Sequence, residues 1–283
     1  MVSVNRPRLA VIQFPGSNCE NETLRALDEA GLEADVFRWN RPAQQLHEYD
    51  GYIVPGGFSY EDRIRAGVVA AKEPLMDQLG LEAEAGKPIL GICNGAQVLL
   101  ETGLVPGWNP GQVDMALAPN YITSNERVVR RGHHCGWVNM KCEVNPERTP
   151  FTNTLTRGEI LPITVSHGEG RFTSNHPDLL QKLEAGNQIV WRYCDEAGET
   201  PAGLPANPNG SLGNIAGLCN PKGNVLALMP HPERAFYLRQ VPTMWPGPWG
   251  KRRCELGQSE SLSEYGPGFA LFQSIYKALA SQF

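Results

Sequence analysis

Residues 87–100, KPILGICNGAQVLL, contain a strand signal that passes directly into a helix signal. The apolar run 88–92 is typical of a short parallel strand that helices cover on both faces. The pentapeptide 91–95, GICNG, has the form of a nucleophile elbow, in which small neighbours let strand and helix approach around one strained residue. The helix N-terminus at such a bend favours a thiolate. The stretch therefore predicts a reactive thiol at Cys93, the alternative being a buried and inert cysteine.

Strand and helix signals alternate through the first hundred residues. The predicted strands cover 8–14, 34–37, 51–55 and 88–92, and the predicted helices cover 20–30, 44–49, 68–85 and the segment after the elbow. This alternation predicts an α/β fold with three αβα layers, flavodoxin-like, around a mostly parallel central sheet. Functional loops of such folds lie at the carboxyl ends of the strands, which indicates 15–21, 56–67 and the elbow.

The second half of the chain has a different pattern, with many short strands. They are predicted at 126–131, 137–144, 160–165, 189–193, 215–218 and 225–229, and helices are predicted at 177–185 and 268–283. We expect these strands to extend the parallel core with antiparallel additions, so that residues 1–283 form a single domain. The segment 240–267 is rich in proline and tryptophan and is expected to be a long loop.

Composition and charge exclude several classes of protein. The 283 residues are 41% hydrophobic and 19% charged, as in an ordinary globular protein. A net charge of −5 provides no basic footprint for nucleic acid. No apolar run is long enough to span a membrane, and the first residues do not resemble a signal peptide, so we expect a cytoplasmic protein that binds neither nucleic acid nor membrane.

Cysteine and histidine spacing gives no metal site. Seven widely spaced cysteines without a C-x-x-C pair indicate neither a disulfide framework nor a zinc site. His133, His134 and His167 have no cysteine or carboxylate at ligand spacing around them. We therefore expect no metal in this chain.

Two adjacent glycines, Gly56 and Gly57, follow the third predicted strand. They allow backbone N–H groups to point into one space, which would form half of an oxyanion hole. The other half would be the amide of Asn94, the residue after the nucleophile, as in other nucleophile elbows. A simple tight turn at the two glycines is the alternative.

A general base is available where the last predicted strand ends. The segment 230–234, PHPER, places an imidazole at His231 and a carboxylate that could orient it at Glu233. A single histidine at a strand end is more often structural. With the elbow and the glycine pair, however, it completes a nucleophile, base and orienter. Cys19 is the rival nucleophile, but its loop lacks the glycine that an elbow requires after the nucleophile.

Longer motifs make the chain resemble a known family. Segments 91–97 (GICNGAQ) and 230–233 (PHPE) resemble those of class I, triad-type glutamine amidotransferases. More narrowly, the chain is similar to the separate glutaminase subunits of phosphoribosylformylglycinamidine synthase, an enzyme of purine biosynthesis. This similarity rests on FPGSNC (14–19), PGGFSY (55–60), RAG (65–67), TPFT (149–152), HGEGR (167–171), YC (193–194), NPNGS (207–211) and NIAG (214–217).

The resemblance implies a class I glutamine amidotransferase-like fold and a glutaminase reaction. Cys93 would form a γ-glutamyl thioester and release ammonia, His231 would shuttle protons, and Glu233 would orient the imidazole. The residues that would bind glutamine and the oxyanion are Gly56, Gly57, Asn94 and Gln97.

The resemblance also implies partners. Ammonia would pass to a synthetase subunit that uses ATP and magnesium to make formylglycinamidine ribonucleotide, with a small third subunit that often bridges the two. No cofactor is expected in this chain, which has neither a Walker motif nor G-x-G-x-x-G. This chain departs from the family pattern at Glu61, Ala96 and Gly136, where glycine, phenylalanine and arginine are common.

Other functions share part of this evidence. Another triad amidotransferase or a γ-glutamyl hydrolase would have the elbow and the His-Pro-Glu segment, but would leave NPNGS and HGEG unexplained. A non-catalytic scaffold on the same fold would be expected to lack a triad residue, and all three are present. His167 and Glu169 are further candidates for the cleft or for a partner face.

Overall fold

One large sheet organises the structure. The computed structural model describes residues 6–109, 111–124, 127–256 and 263–281. The strands in these ranges are β1 (Arg8–Gln13), β2 (Glu33–Arg38), β3 (Gly51–Val54), β4 (Ile89–Ile92), β5 (Ala116–Ala118), β6 (Tyr121–Ser124), β7 (Arg127–Arg131), β8 (His134–Cys142), β9 (Ile160–His167), β10 (Arg171–Thr173), β11 (Ile189–Cys194), β12 (Ile215–Cys219) and β13 (Val225–Leu228). Within this described part, nine strands form one sheet in the order β2-β1-β3-β4-β13-β12-β11-β8-β9.

The sheet has a parallel half and an antiparallel half. The neighbours β2, β1, β3, β4 and β13 run parallel. From β13 onward, β12, β11, β8 and β9 pair antiparallel. The predicted parallel core with antiparallel additions is therefore confirmed. Because parallel strands end at the same edge, the loops after β1, β3, β4 and β13 meet there.

Helices cover the two faces of the sheet. They are α1 (Glu20–Glu29), α2 (Pro74–Glu84), α3 (Asn94–Glu101), α4 (Leu179–Ala185), α5 (Pro248–Glu255) and α6 (Phe269–Ala280). Helix α1 contacts α6, while α3 packs against β4 and β13. Helix α6 lies within the predicted helix 268–283 and buries one apolar face, which includes Phe272, Ile275 and Leu279. Within the described residues, no helix combines the length and the apolar character needed to cross a membrane.

The glycines of the elbow let α3 lie directly on the sheet. A Cβ atom on Gly95 would lie 1.9 Å from the backbone oxygen of Val54 in β3, and one on Gly91 would lie 2.6 Å from the oxygen of Gly95. Real side chains do not tolerate either distance. The GICNG spacing is therefore a packing requirement of the strand–helix junction, as the sequence predicts.

The segment 240–267 differs from the prediction of a long loop. It contains helix α5, which begins at Pro248 after Gly247, whose φ is 87°. Proline is favoured at the first position of a helix because its missing N–H would have no partner there, so the proline that suggests a loop instead starts a helix. Residues 257–262 of this segment lie outside the described residues, as does residue 126 of the predicted strand 126–131.

Two small sheets were not predicted from the sequence. Strand β10 pairs with β5, and β6 pairs with β7, each antiparallel and outside the main sheet. Strands β5 and β10 have three residues each. Such short runs show no hydrophobic period, which is why the pattern does not reveal them.

We predict opposite effects of alanine at two helical glycines. Gly95→Ala should lower the free energy of unfolding by about 3 kcal/mol or more, since its Cβ would displace β3 from α3. Gly80→Ala in α2 is the matched control, because the nearest atom to its added Cβ is 4.0 Å away. The control should raise stability by roughly 0.5–1 kcal/mol, as alanine favours a helix interior over glycine. Urea unfolding measures both changes, and equal effects would contradict the packing argument.

Candidate active site

Cys93 lies at the bend between β4 and α3 in a strained backbone conformation. Its φ is 52° and its ψ is −105°, a left-handed region that a residue with a side chain rarely adopts. Its N–H donates to the backbone oxygen of Leu228 in β13 at 2.8 Å, and its thiol donates to the oxygen of Ser166 in β9 at 3.5 Å. The side chain is 5% exposed. The sulfur is thus fixed at the carboxyl edge of the sheet, at the start of a helix.

His231 and Glu233 form a buried pair beside this edge. The N–H of His231 donates to the oxygen of Thr164 at 2.8 Å, which attaches the segment after β13 to β9. Its Nδ1 lies 2.6 Å from Oε1 of Glu233. With Nδ1 engaged by the carboxylate, Nε2 is the nitrogen free to exchange a proton, and it is buried with no hydrogen-bond partner among the described residues.

Electrostatics favour the charged imidazole at this position. Burial disfavours the imidazolium, but the carboxylate of Glu233 and then the sulfur of Cys93 outweigh it, so the pKa of His231 lies well above its usual value. A protonated imidazole next to a cysteine stabilises the thiolate. The three predicted triad residues are therefore brought together by the fold.

The backbone amide of Gly57 is available for an oxyanion. On either side of it, Phe58 N–H donates to Gly16 O at 2.9 Å and Asn18 N–H donates to Gly56 O at 3.2 Å. These bonds belong to an antiparallel bridge between residues 17 and 57, and the N–H between them points away from the loop after β1. It makes no hydrogen bond with the described part of the chain.

The amide of Asn94 is the second predicted donor. As the first residue of α3 it has no intrahelical acceptor, and none of the other described residues accepts its N–H. Both predicted oxyanion donors are thus unpartnered backbone N–H groups. Gly56 contributes differently, because its carbonyl accepts the N–H groups of Asn18 and Cys19 and so attaches the loop after β1 to the loop after β3.

Gln97 lies one turn into α3 with its amide engaged inside the protein. Its oxygen accepts from Nδ2 of Asn94 at 2.8 Å, and its Nε2 donates to the backbone oxygen of Glu169 at 2.7 Å. Both polar atoms of the predicted glutamine-binding residue therefore have partners in the chain. Gln97 thus fixes the backbone at Glu169 relative to α3, and its predicted role in glutamine binding stays a prediction.

Two carboxylates that lie near each other, those of Asp62 and Glu169, were not predicted as a pair. Asp62 Oδ1 accepts from Asn94 Nδ2 at 3.2 Å, and Glu169 Oε2 accepts from Ala66 N–H at 3.3 Å. Burial and then the charge of Glu169 raise the pKa of Asp62 to about 6, against the effect of the Asn94 hydrogen bond. Their proximity depends on a contact between loops a hundred residues apart, which no local motif shows.

Cys19, the rival nucleophile in the sequence analysis, also lies at this site, beside His231 and Glu233. Its sulfur and single polar atoms of His231 and Glu233 all lie within 4.8 Å of one another. This set does not fit a metal ion, because the 2.6 Å contact between imidazole and carboxylate is a direct hydrogen bond. In addition, the guanidinium of Arg234 lies 3.0 Å from the sulfur and would repel a cation.

Comparisons with known proteins agree with this geometry. A family model described as the CobB/CobQ-like glutamine amidotransferase domain matches residues 6–277. The phosphoribosylformylglycinamidine synthase subunit PurQ of Methanothrix thermoacetophila is 47% identical over 268 residues, which are 95% of this chain and 96% of that protein. The PurQ subunit of Pyrococcus horikoshii is 43% identical, over 81% of this chain and 89% of its own.

Solved structures give the same result. The structure of PurLQS from Thermotoga maritima includes a chain that matches 97% of this one over 99% of its own length, with a TM-score of 0.68 and 33% identity. A putative GMP synthase protein from Thermoplasma acidophilum, which is 15% identical with a TM-score of 0.53 and matches 98% of this chain over 96% of its own, shares the fold. The chain described here therefore belongs to the family of CobB/CobQ-like glutamine amidotransferases.

Proposed function

We propose that this chain is the glutamine-hydrolysing subunit of a phosphoribosylformylglycinamidine synthase. The observation that carries the proposal is the buried Cys93–His231–Glu233 constellation at a strained elbow, in a chain whose relatives bear that subunit's name over nearly their whole length. A non-catalytic scaffold would not need an imidazole with a raised pKa beside a thiol.

The first half of the reaction follows from the positions of these groups. The Cys93 thiolate attacks the carboxamide carbon of glutamine, and the negative charge that develops on oxygen is held by the Gly57 and Asn94 amides. The tetrahedral intermediate collapses as the His231 imidazolium gives its proton to the leaving nitrogen. Ammonia departs and a γ-glutamyl thioester remains on Cys93.

Hydrolysis of the thioester reverses the proton transfers. Neutral His231 takes a proton from water, the resulting hydroxide adds to the thioester carbon, and the intermediate expels the sulfur as glutamate forms. Glu233 supports both halves, because its carboxylate fixes the Nδ1 proton and stabilises the imidazolium.

Asp62 and Glu169 are suited to the other end of the substrate. A free glutamine carries an α-ammonium group, and these two neighbouring carboxylates, of which Asp62 contacts Asn94, provide a complementary charge. Bound ammonium would also lower the pKa of Asp62 from its value of about 6, since an adjacent cation favours the carboxylate.

The reaction needs no cofactor in this chain, and we place the energy-dependent step on a partner. Ammonia released here would be used by a synthetase subunit with ATP and magnesium, with a small bridging subunit completing the assembly in the cytoplasm. The match to the PurLQS structure supports an assembly of this kind.

Replacing the nucleophile should separate the two activities of the complex. Cys93→Ala or Cys93→Ser should abolish glutamine-dependent product formation, because no thioester can form, while synthesis from added ammonium persists. Steady-state assays of the complex with each nitrogen source measure this. Cys219→Ala, a buried cysteine in β12, is the control and should retain both activities. Residual glutamine use by the Cys93 variants would contradict the assignment.

The pH profile should depend on Glu233. Glu233→Gln keeps an acceptor for Nδ1 but removes the charge that raises the pKa of His231, so the imidazolium is lost at lower pH. The alkaline limb of kcat/KM for glutamine should therefore move to lower pH, with a smaller loss of kcat than the roughly 10³-fold loss expected for His231→Ala.

A buried glutamate elsewhere controls for this change. Glu82 is also buried and pairs with Lys87 at 2.8 Å, remote from Cys93. Glu82→Gln should leave the alkaline limb in place. The double variant of His231→Ala and Glu233→Gln should be scarcely worse than His231→Ala alone, because members of one catalytic unit act non-additively. If the losses of kcat in the two single variants multiplied in the double variant, His231 and Glu233 would not act as one catalytic unit.

The synthetase should activate this chain through the loop 58–64. This loop is tied to the site by Ser59 N–H, which donates to Asn94 Oδ1 at 3.1 Å, and it exposes Phe58 by 50% and Ile64 by 94%. We place the synthetase contact here because these two exposed apolar side chains belong to a loop that is hydrogen-bonded to the residue after the nucleophile. Glutamate release should therefore rise at least about 10-fold when the synthetase binds.

A substitution at the tip of this loop tests the contact. Ile64→Asp should weaken binding and activation by about 10-fold, as loss of a central apolar contact commonly does, and leave basal glutamate release unchanged. Leu81→Asp is the matched control, since Leu81 is 58% exposed on α2, and it should behave like the parent chain. Equal rates with and without synthetase would reject activation even if Cys93 is the nucleophile.

A further inference from the structure

A second sulfur lies against the catalytic imidazole. Cys19 is 1% exposed at the start of α1. A Cβ atom built on Gly56 would lie 2.7 Å from Cε1 of His231 and 3.0 Å from the sulfur of Cys19, so the imidazole edge and the sulfur face the same small space. The absence of a side chain at Gly56 allows this contact.

The sulfur is held in place from several directions. The N–H of Cys19 donates to the oxygen of Gly56 at 3.2 Å, and its thiol donates to Asn18 Oδ1 at 3.4 Å. With its proton directed to Asn18, the sulfur accepts a hydrogen bond from Nη2 of Arg234 at 3.0 Å. The position of the sulfur is therefore determined by backbone and side-chain contacts together.

Arg234 connects this sulfur to the triad. It follows Glu233 directly in the chain, and its guanidinium also contacts Glu22 Oε1 in α1 at 3.4 Å. The short turn that carries His231 and Glu233 is thus attached to the first turn of α1 through Cys19 and Glu22.

We propose that Cys19 is a positioning residue for His231. Its sulfur, fixed by Arg234, occupies the space beside the imidazole and keeps the ring and its Glu233 partner in the orientation that proton transfer requires. The sulfur lone pairs also provide an electron-rich neighbour for the imidazolium. Cys19 does not act as a nucleophile, because burial raises the pKa of its thiol and its proton is committed to Asn18.

This inference rests on the proposed function only for its kinetic test. Removing the Cys19 sulfur should leave Cys93 in place but let the His231 ring leave the orientation that proton transfer requires. Cys19→Ala should lower kcat for glutamate release about 10-fold, a part of the 10²–10⁴-fold contribution of general acid–base catalysis, with KM for glutamine unchanged within about twofold because Cys19 is not expected to contact substrate. The alkaline limb of kcat/KM should move to lower pH.

The conservative variant separates positioning from folding. Cys19→Ser retains an acceptor for Arg234 and a donor for Asn18, so it should recover kcat to within about threefold of the parent chain. Cys219→Ala, a fully buried cysteine in β12, is the control for losing a buried sulfur and should keep the parent kcat and pH profile. The kinetics of all variants are measured on the full chain in complex with the synthetase subunit.

A second measurement does not depend on glutamine chemistry. The rate of iodoacetamide alkylation at Cys93, followed by peptide mass spectrometry at neutral pH in the isolated chain, reports thiolate paired with imidazolium. Cys19→Ala should slow it at least about threefold, and Cys19→Ser and Cys219→Ala should not. If the parent complex hydrolyses no glutamine, the proposed function fails while this measurement still tests Cys19.

Three results would overturn the inference. The first is a Cys19→Ala chain with the kinetics, pH profile and alkylation rate of Cys219→Ala. The second is a rise in KM at constant kcat, which would place Cys19 in substrate binding. The third is that kcat falls equally in Cys19→Ala and Cys19→Ser, in parallel with thermal stability and with no change in the pH profile. Cys19 would then have a purely structural role.

Discussion

The hydrogen bond from Cys93 N–H to Leu228 O is the contact on which the site depends. A left-handed φ at a residue with a side chain costs about 1–3 kcal/mol, so Cys93 keeps this conformation only because its surroundings impose it. On one side β13 accepts its N–H at 2.8 Å. On the other, Gly95 lies against Val54 of β3 and fixes the direction of α3. The sulfur is positioned by the two strands that flank β4.

A second set of contacts joins the loops around this sulfur. The carbonyl of Gly56 accepts the N–H groups of Asn18 and Cys19, so one acceptor fixes the loops after β1 and β3 to each other. The Asn18 bond, together with that from Phe58 N–H to Gly16 O, orients the Gly57 amide away from the first loop, and the Cys19 bond places the Cys19 sulfur near His231. A predicted oxyanion donor and an unpredicted neighbour of the base therefore share one structural cause, and a change at Gly56 would disturb both.

The sequence predicted those features that local rules determine. The elbow, the alternating strands and helices and the adjacent His231 and Glu233 each occupy a few consecutive residues, and each has a strong conformational or chemical preference behind it. Helix α5 was missed because proline both breaks and begins helices, and only the packing around Pro248 decides between the two.

The contacts of the site that were missed are those between distant segments. Ser166 reaches Cys93 through the pairing of β9 with β8 at the far side of the sheet, and Arg234 reaches Cys19 across more than two hundred residues. Asp62 and Glu169 meet through loops that follow different strands. Residue types alone do not predict such long-range contacts, since buried cysteines and surface carboxylates are common without any function.

The loop after β3 shows how local backbone strain bears on mechanism. Tyr60, Glu61, Asp62 and Ile64 have φ between 52° and 73°, a backbone conformation that costs least at glycine. Here the conformation is maintained by contacts outside the loop, among them Tyr60 N–H to Pro15 O at 2.7 Å and Ser59 N–H to Asn94. When contacts from outside a loop stabilise a strained conformation, further contacts from outside can change how often that conformation is populated. Because the loop directly follows Gly57, a partner bound at its exposed tip would act on the backbone that carries the predicted oxyanion donor.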